Sequence, residues 1–153
     1  MSITIRKAKI KDLEKTYKWT NYKDVIKNSI ERTKKVSLHE HTQWFNKYIE
    51  SKKNSMFIAC YKNDQVGMVR IDNIKNELFV GIVIDKKHRN KKLSVQMFNK
   101  VINRQKKKVK NLILKAKIKN DNLSSIKMIE KLGFVRSPNR QNKNIILFKL
   151  VTK

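Results

Sequence analysis

Hydrophobic residues alternate with polar ones, or follow one another almost without a break, in the short segments that predict β-strands. Alternation indicates a strand with one buried face, whereas an unbroken apolar run indicates a strand covered on both faces. Met56–Tyr61 and Leu78–Ile84 are of the second kind, and we expect Leu78–Ile84 to be central. The predicted strands are Ile3–Lys9, Met56–Tyr61, Val66–Asp72, Leu78–Ile84, Asn111–Ala116 and Asn144–Val151.

Apolar residues three and four positions apart predict helices between these strands. Asp12 is placed to cap the first helix, Ser37 opens the third with a capping box, and Asn120 or Asp121 caps the last. The predicted helices cover residues 12–19, 22–30, 37–52, 91–105 and 120–131. This order of elements predicts one α+β domain over residues 1–153, with a mixed, mostly antiparallel sheet flanked by helices.

A strongly basic loop, Lys86–Lys92, joins the strand that ends near Asp85 to the next helix. The first-turn N–H groups of a helix have no intrahelical partner, and the helix dipole adds partial positive charge. Together with the lysines, these groups predict a phosphate-binding site. A solvated loop in a chain that is basic throughout explains the same residues equally well, so the loop alone leaves both interpretations open.

The chain is strongly positive, because 38 Lys and Arg residues stand against 12 Asp and Glu residues for a formal net charge of +26. The basic residues are spread along the whole chain rather than gathered in a block, which is typical of a lysine-coated surface. A field of this sign attracts anions and repels cations. We therefore expect an anionic substrate rather than a polycationic one.

Cysteine, histidine and hydropathy patterns exclude several classes of protein. Cys60 is the only cysteine, so no intrachain disulfide can form, and a cytoplasmic location is expected. His39, His41 and His88 have no metal-ligand spacing, and no metal site is expected. No apolar run approaches the ~20 residues of a membrane span, and the amino-terminal stretch lacks the hydrophobic segment of a signal peptide. No membrane partner is expected.

The strand and loop over residues 81–94 resemble the central signature of the GNAT superfamily of N-acetyltransferases. In that family an apolar strand leads into an Arg/Gln-x-x-Gly-x-Gly/Ala loop that holds the pyrophosphate of acetyl-CoA. Arg89 matches this pattern, Lys92 stands where the first glycine is usual, and Ser94 stands where glycine or alanine is usual. Lys92 is the main departure, and it fits only if the position does not require positive φ.

A second segment strengthens the resemblance. Asn122-x-x-Ser125 followed by EKLGF at 130–134 is similar to the family's Asn-x-x-Ser and Glu-Lys-Leu-Gly-Phe elements. An amphipathic helix with Gly133 as a left-handed C-cap explains this segment taken alone, but not both segments in this order and spacing. The resemblance implies an acetyl-CoA groove between two splayed central strands, with Asn122 at the pantetheine arm. The residues it implies for acetyl-CoA binding are Ile82, Val83, Ile84, Arg89, Asn90, Lys91, Lys92, Leu93, Ser94, Asn122 and Ser125.

The amino-terminal third resembles a narrower group, the sugar-nucleotide N-acetyltransferases. The matching residues are Trp19, Thr20, Asn21, Val25, Ser29, His41, Trp44 and Phe45. The group includes enzymes that acetylate the 4-amino group of a UDP-linked 4-amino-4,6-dideoxy sugar on the way to pseudaminic acid. Ribosomal-protein N-terminal acetyltransferases carry similar residues. The resemblance thus implies a nucleotide-linked amino sugar as acceptor, with a protein amine as the open alternative.

The reaction that the resemblance implies is direct attack of a neutral amine on the thioester of acetyl-CoA. A backbone N–H of the central strand, at Val83 or Ile84, is expected to stabilise the developing oxyanion. Ile129 stands where the family often has a tyrosine proton donor. His41 and Glu77 are the candidate bases, although a core histidine and a solvated strand-end carboxylate explain these residues at least as well.

A non-catalytic interpretation also has to be weighed, in which a relative of the same fold binds nucleic acid through its positive surface. The net charge, Lys92 and Ile129 favour it. Against it, the sequence contains no recognised nucleic-acid motif, and its aromatic residues lie mostly in apolar runs. A homodimer is compatible with the sequence, which carries no signal for or against one. An acetyl-CoA-dependent enzyme is the favoured interpretation.

Overall fold

The computed structural model describes residues 2–138 and 141–153. Its strands are β1 (Thr4–Lys7), β2 (Ser55–Tyr61), β3 (Asp64–Ile74), β4 (Glu77–Ile84), β5 (Ile113–Lys119), β6 (Val135–Ser137) and β7 (Ile145–Val151). They form one seven-stranded sheet in the order β1-β2-β3-β4-β5-β7-β6. Neighbouring strands are antiparallel except β4 and β5, which run parallel. The predicted mixed, mostly antiparallel α+β architecture is confirmed.

Helices pack on both faces of this sheet. They are α1 (Leu13–Thr20), α2 (Lys23–Asn28), α3 (Leu38–Glu50), α4 (Leu93–Lys106) and α5 (Leu123–Lys131). Short 3₁₀ turns precede α1, at Ile10–Asp12, and follow β4, at Lys86–His88. Helices α4 and α5 cover one face, whereas α1 and α3 cover part of the other.

The face under α4 and α5 carries the main hydrophobic core. Leu93, Met97 and Val101 of α4 are each at most 1% exposed, which confirms the inward face predicted for this helix. They belong to the same buried cluster as Val69 of β3 and Leu114 of β5. Burial of one such side chain stabilises a fold by about 1.5–3 kcal/mol, so this helix is firmly fixed on the sheet.

The opposite face is covered only over its first strands. Trp19 of α1 and Phe45 of α3 are fully buried against Ile58 and Met68 of β2 and β3. The side chains of β4, the middle strand of the sheet, are by contrast all exposed or only partly buried. The open part of this face therefore begins at β4, a strand whose apolar sequence alone predicts full burial.

Two strands differ most from the prediction, while the other strands differ from their predicted bounds by at most two residues and the helices by at most three. Strand β5 begins at Ile113 rather than Asn111, because Asn111 adopts a turn conformation with φ of 55°. It then continues to Lys119, with Leu114, Ala116 and Ile118 buried and the two lysines between them outside the core. Strand β6 was not predicted, since its three residues are too few to show a period.

The helix ends confirm some predicted caps and correct others. The Ser37 hydroxyl accepts from the Glu40 backbone N–H at 3.1 Å, which is the Ser37 half of the predicted capping box, and Gly133 has the predicted left-handed conformation, with φ of 95°. The Asp12 carboxylate does not cap α1, because it accepts from the Lys9 backbone N–H and from Arg6 instead. At α5 the capping residue is Asn122, and neither Asn120 nor Asp121 takes this role.

None of the helices described is both long and apolar enough to cross a membrane. Within residues 2–138 and 141–153, no group of His, Cys, Asp and Glu side chains is arranged to hold a metal ion.

Candidate active site

The parallel strands β4 and β5 separate towards their carboxyl ends. In the described sheet they share one register pair, Phe79 with Lys115, and beyond it β4 continues to Ile84 without a paired residue in β5. Strand β3 remains paired along β4 as far as Ile84, so only the β5 side opens. Because a backbone N–H or C=O group inside a protein needs a partner, this gap can accept an extended ligand that hydrogen-bonds to β4.

The loop after β4 brings main-chain N–H groups together. Asn90 and Lys92 both adopt the left-handed conformation, with φ of 63° and 58°. Helix α4 begins directly afterwards at Leu93, and within the described residues no side chain caps its first turn. Turns of this kind and an uncapped helix N-terminus both direct N–H groups at an anion. The loop thus has the geometry of a phosphate site.

From the sequence, Lys92 is expected to fit the glycine position only if that position does not require positive φ. In the structure Lys92 does adopt positive φ, so this condition is not met. The left-handed conformation costs a side-chain-bearing residue roughly 1–2 kcal/mol relative to glycine. The loop conformation that glycine normally permits is therefore retained here at a cost in stability.

The Arg89 side chain is held by groups outside the loop. Its guanidinium lies 2.8 Å from the Asp24 carboxylate of α2, and its Nε donates to the Ile84 carbonyl at 3.1 Å. The same group stacks over the Tyr22 ring at 5.3 Å. Arg89 thus ties the loop to α2, and a phosphate would compete with Asp24 for it.

Asp85, the first residue after β4, fixes the start of the loop through hydrogen bonds. It is 2% exposed, and it accepts from the Trp19 indole N–H at 2.8 Å and from the Lys87 backbone N–H at 3.1 Å. Burial alone would raise the pKa of Asp85, but the hydrogen bonds from Trp19 and Lys87 and the charges of Lys15 and Lys18 together lower it. A buried, ionised carboxylate therefore joins α1 to the start of the loop.

Asn122 and Ser125 meet at the start of α5. The Asn122 carbonyl oxygen accepts from the Ser125 backbone N–H at 3.3 Å, and its amide donates to the Ser125 hydroxyl at 2.9 Å. Both residues follow the carboxyl end of β5, and so they stand across the gap from β4. The pair fixes the first turn of α5 at this edge of the opening.

The uncovered face beside β4 contains a cavity of about 730 Å³. Its walls are the outward side chains of three strands together with residues of two loops. These are Ile30, Glu77, Phe79, Lys115, Lys117, Pro138, Gln141, Asn142, Ile145 and Leu147. The volume falls within the range of small-molecule sites, roughly 300–1,000 Å³.

The charged groups of the cavity are unevenly balanced. Glu77 accepts from the Lys115 ammonium at 2.9 Å, while the Lys117 ammonium lies over the Phe79 ring at 4.9 Å from its centroid. The hydrogen bond and charge of Lys115 lower the pKa of Glu77, with a smaller effect from Lys117. The charge of Lys115 thus balances that of the Glu77 carboxylate, and the charge of Lys117 gives the cavity a net positive charge.

A model of the acetyltransferase (GNAT) domain matches residues 2–135 of the chain. The protein belongs to the GNAT acetyltransferase family. No curated protein matches it significantly in sequence.

Solved structures of low sequence identity share this GNAT fold over almost the whole chain. A domain from Methanocaldococcus jannaschii is 21% identical, with 99% of each chain covered and a TM-score of 0.83. Spermidine N-acetyltransferase from Vibrio cholerae, with CoA and spermine, is 16% identical, with 97% and 95% covered and a TM-score of 0.82. Ribosomal-protein-alanine N-acetyltransferase from Brucella melitensis is 15% identical, with 97% and 99% covered and a TM-score of 0.78. None of these three supports the narrower resemblance to sugar-nucleotide enzymes.

His41 lies in the core of the GNAT domain between α1 and α3. It is 2% exposed, its Nε2 lies 3.0 Å from the Thr16 hydroxyl, and the rings of Tyr17, Trp44 and Phe45 surround it. Burial lowers the pKa of His41 and keeps its imidazole neutral. An acceptor amine would have to open this packing to reach it, and of the two candidate bases only Glu77 lines the cavity.

Ile129, which stands where GNAT enzymes often have a tyrosine, is buried and cannot donate a proton. Ile129 of α5 is 2% exposed and belongs to the main core. Its side chain packs where a proton donor is common in the family, so any donor in this protein comes from elsewhere.

Sequence reasoning missed Asp85 and the side chains that face the cavity. The side chains of a strand alternate between its two faces. Because Ile82 packs against the main core, Glu77, Phe79, Gly81 and Val83 must lie on the opposite face, and this alternation was the signal available in the sequence. Residues of β3, β5 and β7 reach this face only through the strand register, which no local pattern reveals.

Proposed function

We propose that the protein is an acetyl-CoA-dependent N-acetyltransferase whose acceptor is the amine of a small anionic molecule, a nucleotide-linked amino sugar. The observation that carries the proposal is the gap between β4 and β5, with the uncapped start of α4 at its end and a cavity on the open sheet face beside it. A gap of this kind offers one path for a cofactor arm and a separate approach for an acceptor.

The fit of acetyl-CoA rests on main-chain groups. The N–H groups from Asn90 to Ser94 would hold the pyrophosphate, in the loop with two left-handed residues. The backbone of Ile82–Ile84 would pair with the pantetheine arm, since β5 leaves that edge of β4 unpaired. Asn122 and Ser125 would line the other side. Acetyl-CoA supplies an acetyl group activated as a thioester, and this chain supplies the groups that orient it.

The acceptor cavity favours an anion on electrostatic grounds. Lys115 and Lys117 outweigh Glu77 among its charged lining residues, and the chain as a whole carries +26. A polyamine would be repelled from such a surface, whereas a diphosphate would be drawn in. The Vibrio cholerae relative is named for spermidine, a polycation, so we infer that this protein differs from it in acceptor.

The acceptor amine has to lose a proton, and Glu77 and His41 remain the predicted bases. Glu77 is ionised and lines the cavity, but its lowered pKa makes it a weak base. It also begins β4, and the six residues to Val83 span roughly 20 Å of extended strand. Proton transfer from an amine near Val83 to Glu77 would therefore pass through water.

A protein amine is the second candidate acceptor. The Brucella melitensis relative is named for the alanine of a ribosomal protein, and its fold matches over 97% of this chain. A flexible peptide end is narrow enough to enter a cavity of about 730 Å³. Its amino group would have to approach past the lysines, which is the reason we favour the anionic acceptor.

An acceptor panel with acetyl-CoA, read by release of free thiol, tests the proposal. The panel contains a UDP-linked 4-amino-4,6-dideoxy sugar, spermidine and an alanine-terminated peptide. We expect the sugar nucleotide to have the highest kcat/KM at about 0.15 M salt, with an advantage that shrinks as salt shortens the Debye length below ~8 Å. Lys117→Gln should lower that value, and Lys108→Gln, which removes an exposed lysine outside the cavity, should not. A better rate with spermidine or the peptide would overturn the sugar assignment.

A further inference from the structure

The guanidinium of Arg70 lies on the open sheet face next to the middle of β4. Arg70 and Gly81 are register partners in β3 and β4, and a Cβ placed on Gly81 would be 3.7 Å from Nε and Nη2 of Arg70. Gly81 precedes Val83 by two residues on the same face, a separation of roughly 7 Å along a strand. A positive charge thus stands beside the backbone where we propose that acetyl transfer occurs.

Aromatic rings hold this guanidinium in place. It lies 5.4 Å from the Trp44 ring centroid and 6.0 Å from that of Tyr48. Among the described residues its one ion pair is with Asp72, at 3.3 Å, and the second oxygen of that carboxylate accepts a short hydrogen bond from Tyr48. Since a guanidinium has five N–H donors, a single contact of this length leaves most of them available to a ligand.

Arg32, from the segment between α2 and α3, carries a second positive charge that is near enough to Arg70 for the two charges to influence each other. Its Nη2 donates to the Thr20 carbonyl at 2.8 Å and its Nη1 to the Lys34 carbonyl at 3.4 Å. No carboxylate of the described residues lies within ion-pair distance of it. Burial lowers the pKa of Arg32, and the nearby charge of Arg70 lowers it further.

We propose that Arg70 and Arg32 bind an oxyanion group of the acceptor, a carboxylate or a phosphate, and so determine which acceptors the protein takes. This inference rests on the proposed function and deepens it, because it assigns acceptor choice to two residues. Planar guanidinium groups match carboxylates and phosphates with two parallel hydrogen bonds, which a lysine cannot do.

The charge balance explains why an anion belongs here. Two like charges that are partly withdrawn from water repel each other, and within the part of the chain that the structure describes only Arg70 has a carboxylate partner, Asp72. An oxyanion bound by Arg70 and close to Arg32 would offset this repulsion. The site is open on its other side, since the Arg70 side chain is 30% exposed and Gly81 presents no side chain above β4.

The test is a titration of the CoA-saturated protein with UDP and, separately, with citrate, followed by calorimetry. Saturation with CoA fills the loop at α4, so that a second anion reports on another site. We expect Arg70→Gln and Arg32→Gln each to weaken probe binding by about tenfold or more. Arg104→Gln removes the same charge from an exposed position on α4, on the other face of the sheet, and should leave affinity unchanged. Arg70→Lys should be intermediate, because it keeps the charge and loses the planar fork.

The outcomes separate this inference from the proposed function. Binding of UDP alone identifies a phosphate, and binding of citrate alone identifies a carboxylate. Failure of both probes to bind, or equal affinities in the Arg70, Arg32 and Arg104 variants, overturns the anion site. CoA binding and thiol release, measured on the same samples, test the enzyme itself. If Arg70→Gln does not fold, Arg32→Gln decides, since its side-chain partners in the structure are backbone carbonyls.

Discussion

The two proposed sites beside β4 consist of different kinds of group, main-chain atoms in one and side chains in the other. Towards α4 the proposed cofactor site consists of main-chain groups, arranged by the unpaired edge of β4 and the left-handed residues Asn90 and Lys92. On the open face the proposed acceptor site consists of side chains such as Arg70, Phe79 and Lys117. A main-chain site tolerates lysine in place of glycine as long as the backbone conformation is kept. A side-chain site can change its ligand while the fold stays the same.

The largest expected effect concerns the anchor beneath the cofactor loop. Asp85→Ala should lower the free energy of unfolding by about 2 kcal/mol or more, because it leaves the buried Trp19 indole N–H without its acceptor. Asp24→Ala removes a half-exposed partner of Arg89 and should cost less than about 1 kcal/mol. Urea unfolding measures both values. Equal costs would mean that Asp85 does not anchor the loop.

The next effect should separate the two sides. Gly81→Val places methyl groups under Arg70 on the acceptor face, and we expect kcat/KM for the best acceptor to fall by about tenfold or more through misplacement of the amine. The stabilisation by acetyl-CoA should stay unchanged, because the β5-facing edge of β4 keeps its backbone groups. Gly81→Ala, whose Cβ would make only an ordinary contact, should be close to wild type. Loss of acetyl-CoA binding in the valine variant would show that the two sites are not separate.

A smaller effect, on the pH dependence of stability, tests whether His41 is a buried core residue or a catalytic base. Burial lowers the pKa of His41, so the unfolded chain binds a proton that the folded protein does not, and stability is lost as pH falls through about 6.5. His41→Gln should lose less stability between pH 7.5 and 5.5, by up to about 1 kcal/mol. His39→Gln, at an exposed position on the same helix, is the control. The same pH dependence in wild type and His41→Gln would contradict the buried, neutral imidazole.

The smallest effect concerns Lys92. Lys92→Gly should relieve the left-handed conformation and raise the free energy of unfolding by up to about 1 kcal/mol. Acetyl-CoA affinity should change little if main-chain N–H groups hold the phosphate. Lys91→Gly, next to it but without positive φ, should give no gain in stability. A large loss of affinity in Lys92→Gly would instead identify its ammonium as a phosphate ligand.

The difference between the two sides also explains what could be predicted from the sequence. The cofactor side follows from contiguous residues: the strand to Ile84, the loop at 89–94 and the Asn122–Gly133 segment, whose order alone indicates the fold. Gly133 and Ser37 were placed correctly because their caps depend on neighbours within a few residues. Local patterns of this kind are strong enough to predict the fold and to propose a main-chain site.

The acceptor side could not be predicted in the same way. Arg70 faces Gly81 only because β3 and β4 pair in one register. Lys117 lines the cavity because β5 continues beyond its predicted end at Ala116 and pairs with β7. The sequence around His41 is compatible with a core residue of the helix and with a functional residue of the motif. Only the packing of α1 on α3 distinguishes the two roles. Contacts between distant segments decide such cases.

The measurement that tests the central claim most directly is the thermal unfolding of the wild-type protein with acetyl-CoA, with ATP at the same concentration and ionic strength as control. The claim is that the gap between β4 and β5 and the loop before α4 form one acetyl-CoA site. At about 100 times its dissociation constant, acetyl-CoA should stabilise the fold by about 2.7 kcal/mol, and ATP by clearly less because it has no pantetheine arm for the gap. Equal stabilisation by both ligands would contradict the claim and leave only a general anion-binding surface.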